Sequence, residues 1–555
     1  MCIRDSTLTD QLLNIFHTVN SKSLMWMDLT AALKNIGTGH INIVSEATGG
    51  EFTTKATLLK AHEMYVKALP SLWASLGEYT CNNLDAALMK LAGNIFEDHI
   101  EAGVDTKTNI VSLGISKWDN VMFAPNTIGE HYLQFATFLS AMQTHRIVAG
   151  TIMNYDQFVF SLRERLFRDM VDDETYTKYK AYKDKQESVK GNNVKFIDYL
   201  SRFIAYRANN FTNKWKSNYA KAYKEGLKNA RVEFEKNQVI YDAFELKDGI
   251  ASIKAESNIT LEDFAKFLGK VKGVNHSLHG IYNTFDKSML SGKMWGEVIL
   301  QFRKWLRPNF IRYWGKRVGK IVFDERLESY RSGAYMDMIN FLLSNGKSAY
   351  RETIDKAIEN DEDIDFATKA KAIFNGFCGL LYWFKDINFR YNTLPQAQKA
   401  NIKRAMFNFT TLVGLSLVAA SLYAAKDDDD ELDENRFFAL ACYTIYGVQT
   451  ELYETSPWGL YSFYKRTMEA PIPFETTMSN VLNLVYWTLI APMIVDDEEM
   501  LYDRGTYKDE DKRWIAFKKT IPLLNQYNKI FYLPKNNTYY MQQNPILQLI
   551  VEANK

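Results

Sequence analysis

Apolar side chains return every three or four positions along most of this chain of 555 residues. The stretch GEHYLQFATFLSAMQTHRI shows the pattern, because Tyr132, Phe135, Phe138 and Leu139 fall on one side of a helix drawn through them. Glycine and proline, which interrupt helices, occur only 28 and 11 times. The pattern therefore predicts an all-α protein, pictured as an elongated multi-helix assembly of long amphipathic helices with an apolar helical module at its C-terminal end.

The density of charge changes along the chain and divides it into five predicted segments, residues 1–6, 7–150, 151–260, 261–366 and 367–555. The first is interpreted as a non-native peptide, because MCIRDS joins abruptly to the helical pattern, and the natural protein would then continue upstream. The second is an N-terminal helical domain and the third a region of long charged helices. The fourth is a basic and aromatic helical domain, and the fifth is the apolar module.

Three uncharged runs mark the apolar module, at 405–425, 437–450 and 476–495. The first is 21 residues long, which is enough for a helix to cross a hydrocarbon core of roughly 30 Å. Lys399, Lys403 and Arg404 precede it, and Lys465 and Arg466 lie between the second and third runs. Three alternating crossings would place these basic flanks on one side of a membrane, as the positive-inside rule requires. The runs are therefore predicted to insert in or lie on a membrane.

The alternative interpretation is three buried helices of a soluble domain. The mean hydropathy of the chain is only −0.28, and the third run is diluted by threonine, serine and asparagine. Periodicity does not separate a short apolar run in a core from one at a membrane. Both interpretations stay open at the level of sequence.

The segment at 293–320, KMWGEVILQFRKWLRPNFIRYWGKRVGK, combines eight lysines or arginines and six aromatic residues with a single glutamate. Such a combination can hold a phosphate backbone while stacking on bases, or lie at a lipid headgroup layer. The residues predicted to make these contacts with a membrane or a nucleic acid are Trp295, Arg303, Lys304, Trp305, Arg307, Arg312, Tyr313, Trp314, Lys316 and Arg317. The alternative is a common amphipathic helix pair whose aromatic residues pack inward and whose cations are solvated.

Motifs for catalysis, metal binding or cofactor binding are missing from the sequence. There is no GxSxG nucleophile elbow, no HExxH zinc motif and no phosphate-binding glycine loop. The four cysteines are widely scattered, which predicts neither a disulfide framework nor a zinc site. A formal net charge of +1 gives no global attraction to nucleic acid, so any basic surface must be local. We therefore expect a protein that is not an enzyme and needs no cofactor or metal.

The stretch IGEHYLQFATFLSAM at 128–142 and the stretch GIYNTFDKSMLSGKMWGEVILQFRKWLRPNFIRYWG at 280–315 resemble one family. They look like segments of the giant helical virion-packaged proteins of crAss-like, short-tailed bacteriophages, and of large polyvalent protein associated domains. The resemblance implies a cargo protein that is carried in the particle and ejected with the genome. The expected partners are other virion proteins, the host inner membrane through the apolar runs, and genomic DNA through the basic aromatic segment. The aspartate motif of the RNA polymerase region that some such giants carry is absent here, so no catalytic residue is carried over.

The leading hypothesis from the sequence is a non-enzymatic phage virion protein whose C-terminal helices contact the host membrane. It would reside in the virion and, after ejection, in the host membrane or cytoplasm, and we expect it to be an oligomer. One alternative is a soluble structural or interaction protein of the virion core or tail. Another is a fragment of a larger enzyme, such as a virion RNA polymerase polyprotein, whose catalytic part lies upstream.

Overall fold

A computed structural model describes the fold for a large part of the chain. The described residues are 29–74, 80–96, 116–190, 203, 212–279, 306–315, 322–324, 329–343, 353, 375, 387, 390–392, 394, 396–427, 436–457, 459, 474–495, 497–504 and 506–532. Helices account for 78% of these described residues, and few of the residues lie in strands. The predicted all-α class is confirmed.

Fifteen α-helices are defined within these ranges, together with seven short strands. The helices are α1 Leu29–Gly49, α2 Lys55–Ala74, α3 Leu84–Phe96, α4 Ser116–Thr144, α5 Tyr155–Met170, α6 Asp173–Lys190, α7 Asn213–Glu235, α8 Leu261–His279, α9 Leu306–Trp314, α10 Ala334–Leu342, α11 Gln396–Asp427, α12 Arg436–Thr455, α13 Phe474–Val485, α14 Lys512–Thr520 and α15 Pro522–Phe531. The strands are β1 Arg146–Val148, β2 Thr151–Met153, β3 Gln238–Val239, β4 Phe244–Lys247, β5 Ile250–Ile253, β6 Val322–Asp324 and β7 Ser329–Arg331. A π-helical turn, Tyr486–Ile490, continues α13 directly.

The largest core lies where α2, α3, α4 and α8 pack together. Phe135, Phe138 and Leu139 of α4 are buried in it, as the helical spacing predicts. Tyr132 lies at the edge of the same stripe and is only partly buried, and its hydroxyl is 2.9 Å from Nδ1 of His62 on α2. The apolar stripe of α4 therefore forms the centre of the N-terminal part of the fold.

Two tight hairpins interrupt the helices, and neither was predicted. The turn of β1–β2 has Ala149 and Gly150 at positive φ, and the turn of β4–β5 has Asp248 and Gly249 at positive φ. Two residues at positive φ form the two-residue turn whose twist matches paired antiparallel strands. β3 pairs with β1 across a long separation in sequence, which produces a three-stranded sheet in the order β2–β1–β3.

Helix α1, near the start of the described chain, packs against α11 and α12 of the predicted apolar module. An ion triad is buried at this contact, where the guanidinium of Arg404 on α11 binds the carboxylates of Glu46 and Glu51. The Nη2 of Arg404 is 2.9 Å from Oε2 of Glu51, and all three side chains are almost completely buried. The surrounding carboxylates raise the pKa of Arg404 above its ordinary value despite the opposing effect of burial. The triad therefore carries a charged guanidinium inside the fold.

His145, between α4 and β1, gives the fold a predicted sensitivity to acid. Its ring packs on Phe52 and Phe267, its Nδ1 donates to the carbonyl of Ala141 at 3.0 Å, and burial lowers its pKa to about 4. Because the folded pKa lies below the ordinary value of about 6.5, the unfolded chain binds the proton more readily. The stability contributed by neutral His145 is complete above about pH 6.5 and is lost as the pH falls toward 4, by about 1–3 kcal/mol.

The measurement is the free energy of unfolding in urea between pH 7 and pH 5, for the wild type and for His145→Gln. Burial also lowers the pKa values of His40 and His62. These two residues contribute equally to the dependence of stability on pH in both proteins, so their contribution cancels when the two slopes are compared. A shallower slope for the variant is expected. Identical slopes would contradict the assignment to His145.

Candidate functional site

The structure places the aromatic residues of α9 in the interior. Tyr313 is 1% exposed and Trp314 is 7% exposed. The indole Nε1 of Trp314 donates to the carbonyl of Thr455 at 2.9 Å, and the hydroxyl of Tyr313 accepts from Nδ2 of Asn408 at 3.0 Å. The half-buried guanidinium of Arg312 donates to the side chain and the carbonyl of Asn42, at 3.0 and 3.1 Å.

These contacts correct the sequence prediction for α9. A residue that contacts lipid or nucleic acid must reach the surface, but Tyr313 and Trp314 fill a core shared with α10 and α11. Arg312 is held against α1 and is not presented to a ligand. The inward-packing alternative therefore describes these three residues. Of the others, Arg307 lies within α9 but its side chain is not described, and the following lie outside the described residues: Trp295, Arg303, Lys304, Trp305, Lys316 and Arg317.

The first apolar run forms most of α11, and the helix turns some polar side chains inward and several large apolar side chains outward. Polar side chains point inward, since Asn408 binds Tyr313 and the hydroxyl of Ser416 accepts from Nε2 of Gln449 on α12. Large apolar side chains point outward, and they are Met406, Phe409, Val413, Leu417 and Val418. Apolar residues such as Leu412 and Ala419 are also buried on the inward side, so α11 carries apolar residues on both of its sides, unlike an ordinary surface helix, whose apolar stripe faces only the core.

Two of the three cations that precede this run are buried, and the third, Lys403, is exposed. Arg404 is buried in the ion triad, and Lys399 is also buried, with its ammonium donating to the carbonyl of Asn392 at 2.7 Å. Within the described parts of the chain, each helix is too short or too polar to cross a bilayer.

The third run forms α13 and the π-helical turn, and it exposes the widest apolar face among the described residues. The exposed members of this face, which we call the apolar face, are Val481, Leu482, Val485, Tyr486, Leu489, Ile490, Met493 and Ile494. Leu482, Leu489 and Met493 are 60%, 62% and 84% exposed. The exposed area is on the order of several hundred Å², a size that marks interaction sites on soluble proteins.

Helix α14 packs along the other side of α13 and supplies cations and aromatic rings. The ammonium of Lys512 lies 4.7 Å from the ring centre of Trp487, and that of Lys518 lies 5.2 Å from the ring of half-exposed Trp514. Lys519 lies 4.5 Å from the ring of Tyr507, and burial lowers its pKa. Cation–π pairs of this kind hold an ammonium group beside an aromatic ring. Helix α14 therefore holds three lysines against aromatic rings, and one of these rings, that of Trp487, belongs to the π-helical turn.

The sequence from 476 to 495 contains no charged residue, and residues 481–493 run through the end of α13, the π-helical turn and a 3-10 turn at Ala491–Met493. Such a face can dock on an apolar partner or lie in the plane of a lipid interface. No group of His, Cys, Asp or Glu among the described residues could hold a metal ion. Comparison with protein-family models, with curated proteins and with solved structures finds no match.

Proposed function

We propose that this chain binds the surface of a membrane through its apolar face, with α13 and the π-helical turn lying in the plane of the lipid interface. The observation that carries the proposal is the exposure of eight large apolar side chains over 14 consecutive residues without a charge. Each such side chain that leaves water stabilises the bound state by about 1–2 kcal/mol, which together is enough for stable attachment.

Two further features favour lipid over a protein partner. Trp514, Phe517 and Tyr527 are exposed beside fixed lysines, and this combination of aromatic rings and cations suits the headgroup region of a bilayer. The outward apolar side of α11, with Asn408 and Ser416 turned inward, is also the polarity expected of a helix that meets an apolar surrounding. Both features extend the prediction of a membrane-active module.

We retain the virion context as part of the proposal. In that context the chain is a non-enzymatic protein packaged in a phage particle, ejected with the genome and then bound to the host inner membrane. Its support is the resemblance of 128–142 and 280–315 to virion-packaged phage proteins. Mass spectrometry of purified particles tests this part, because peptides of the chain must be present inside the particle.

Flotation with liposomes of mixed zwitterionic and anionic lipids tests membrane binding. The triple substitution Leu482→Gln, Leu489→Gln and Met493→Gln is expected to lower the fraction bound by roughly tenfold or more, because three large side chains no longer enter the lipid. The matched control is Leu59→Gln, Val66→Gln and Leu261→Gln, which changes three comparably exposed apolar residues on α2 and α8. The control is expected to float like the wild type.

Equal flotation of both triple variants and the wild type would contradict the proposal. The alternative, a soluble structural or interaction protein, makes a different prediction. In that case the wild type stays with the unbound fraction and forms a larger assembly in light scattering, and the substitutions at 482, 489 and 493 dissociate that assembly.

A further inference from the structure

A row of cations follows one side of α7, away from the residues assigned to membrane binding. The helix carries six lysines or arginines against three glutamates. Lys221, Lys224, Lys228 and Arg231 line a groove with a volume of about 740 Å³, together with Tyr155 of α5. Their spacing of three and four residues places neighbouring cations on one side of the helix, about 5–6 Å apart at their Cβ atoms. Four cations therefore line the α7 side of this open groove.

The three lysines are available to a ligand. Each of them is exposed, and none forms an ion pair with a described residue. One carboxylate, that of Glu225, lines the same groove and leaves the cations in excess. An exposed lysine is solvated at little cost until a phosphate approaches, and it then exchanges its counterion for the phosphate.

Arg231 differs from the lysines because the fold fixes its position. Its Nε donates to the carboxylate of Glu235 at 2.6 Å, and its guanidinium lies 4.8 Å from the ring centre of Tyr155. The hydroxyl of Tyr155 in turn donates to the carbonyl of Leu227 at 2.7 Å. The end of the groove is thus organised before any ligand binds, while the lysines can adjust.

We propose that this groove binds the phosphodiester backbone of a nucleic acid strand. A groove that follows a helix suits a strand with evenly spaced negative charges, whereas a bilayer surface is broad and meets a convex face. Val232 is the single large apolar residue that is exposed among those lining the groove, so lipid insertion has little support there. Flexible lysines contact phosphates and do not read base edges, so we expect binding that is independent of sequence.

Fluorescence anisotropy with labelled oligonucleotides of mixed sequence tests the proposal on the full chain. The triple substitution Lys221→Gln, Lys224→Gln and Lys228→Gln is expected to weaken binding roughly tenfold or more near 0.1 M salt, and to reduce the slope of log K against log salt by about 2. The matched control is Lys55→Gln, Lys180→Gln and Lys247→Gln, three exposed lysines on other elements. It removes the same charge and is expected to bind within about twofold of the wild type. Single-stranded and duplex forms are compared to identify the preferred strand.

Three outcomes would overturn the proposal. Equal weakening of oligonucleotide binding by both triple variants would show attraction by net charge alone. The absence of oligonucleotide binding by the wild type would show that a nucleic acid is not the ligand. Loss of binding to anionic liposomes in the α7 variant, with oligonucleotide binding unchanged, would assign the groove to lipid headgroups. Far-UV circular dichroism confirms that both variants fold, and the result does not depend on the flotation of the apolar-face variants.

Discussion

Replacing Arg404 with leucine is expected to destabilise the folded chain by about 3–5 kcal/mol, because the substitution leaves Glu46 and Glu51 buried without their cation. The loss would also separate α1 from α11, since the triad lies at their contact. Urea denaturation followed by circular dichroism measures the free energy of unfolding. A typical domain is stable by only about 5–15 kcal/mol, so a shift of this size moves the midpoint substantially or prevents folding.

Two comparisons isolate the ion triad as the cause. Arg165→Leu removes an exposed arginine on α5 and is expected to change stability by less than about 0.5 kcal/mol. Adding Glu46→Gln and Glu51→Gln to Arg404→Leu removes the stranded carboxylates, and it should recover part of the loss. A loss below about 1 kcal/mol for Arg404→Leu alone would show that water reaches the carboxylates and that the contact between α1 and α11 is not closed.

The sequence predicts well those parts of the fold that depend on local spacing. An α-helix repeats every 3.6 residues, so apolar residues at that spacing lie on one side of the helix. Phe135, Phe138 and Leu139 have this spacing, and the side that carries them is buried. The low content of glycine and proline also favours helices. The class of the fold was therefore predictable without knowledge of any long-range contact.

One of the two hairpins has a turn dipeptide that the sequence displays, and the other does not. Asp248–Gly249 is a dipeptide that favours a two-residue turn, and it separates two short strands. Ala149–Gly150 forms the same kind of turn but lacks the usual asparagine or aspartate. The pairing of Ile147 with Gln238 in β1 and β3 joins residues far apart in sequence, which no local pattern reveals.

The candidate site was harder to predict, because the direction of a side chain depends on distant partners. A basic aromatic helix looks the same in sequence whether its rings face solvent or protein. The three side chains face the protein because each binds a residue that is distant in sequence. Arg312 binds Asn42 on α1, Tyr313 binds Asn408 on α11, and Trp314 binds Thr455 on α12. The positions of Lys399 and Arg404 were hard to predict for the same reason. The sequence suggests that they flank a membrane-spanning helix, but the fold buries both side chains.

Hydropathy and exposure rank the apolar runs in different orders. The run at 405–425 has the more apolar composition, but α1 and α12 cover one side of α11. The run at 476–495 is diluted by polar residues, yet its large apolar side chains stay exposed because, among the described elements, the main contact of α13 outside its own run is with α14 on one side. Exposure, which a hydropathy scale does not measure, moves the proposed membrane contact to the later run.

Gly333→Ala is expected to destabilise the chain by about 3 kcal/mol or more, because backbone atoms of α9 occupy the space of the added methyl group. A Cβ at Gly333 would lie 2.3 Å from the carbonyl carbon and oxygen of Tyr313 and 2.4 Å from the amide nitrogen of Trp314. Backbone atoms cannot rotate away as a flexible side chain can, so α9 and α10 must separate. Urea denaturation measures the loss, and the emission of Trp314 should shift to longer wavelength as the indole becomes hydrated.

Gly93→Ala and Gly269→Ala are the matched controls, because an added Cβ meets nothing within 4 Å at either position. Both glycines lie inside helices, where alanine is favoured, so each control is expected to stabilise the chain by about 0.5–1 kcal/mol. The same substitution should thus have opposite signs at Gly333, the extended N-cap of α10 that another backbone approaches, and at two uncrowded glycines inside helices. If Gly333→Ala behaved like the controls, α9 would not be held against α10. Tyr313 and Trp314 would then be free to face outward, and their prediction as surface contacts would regain its basis.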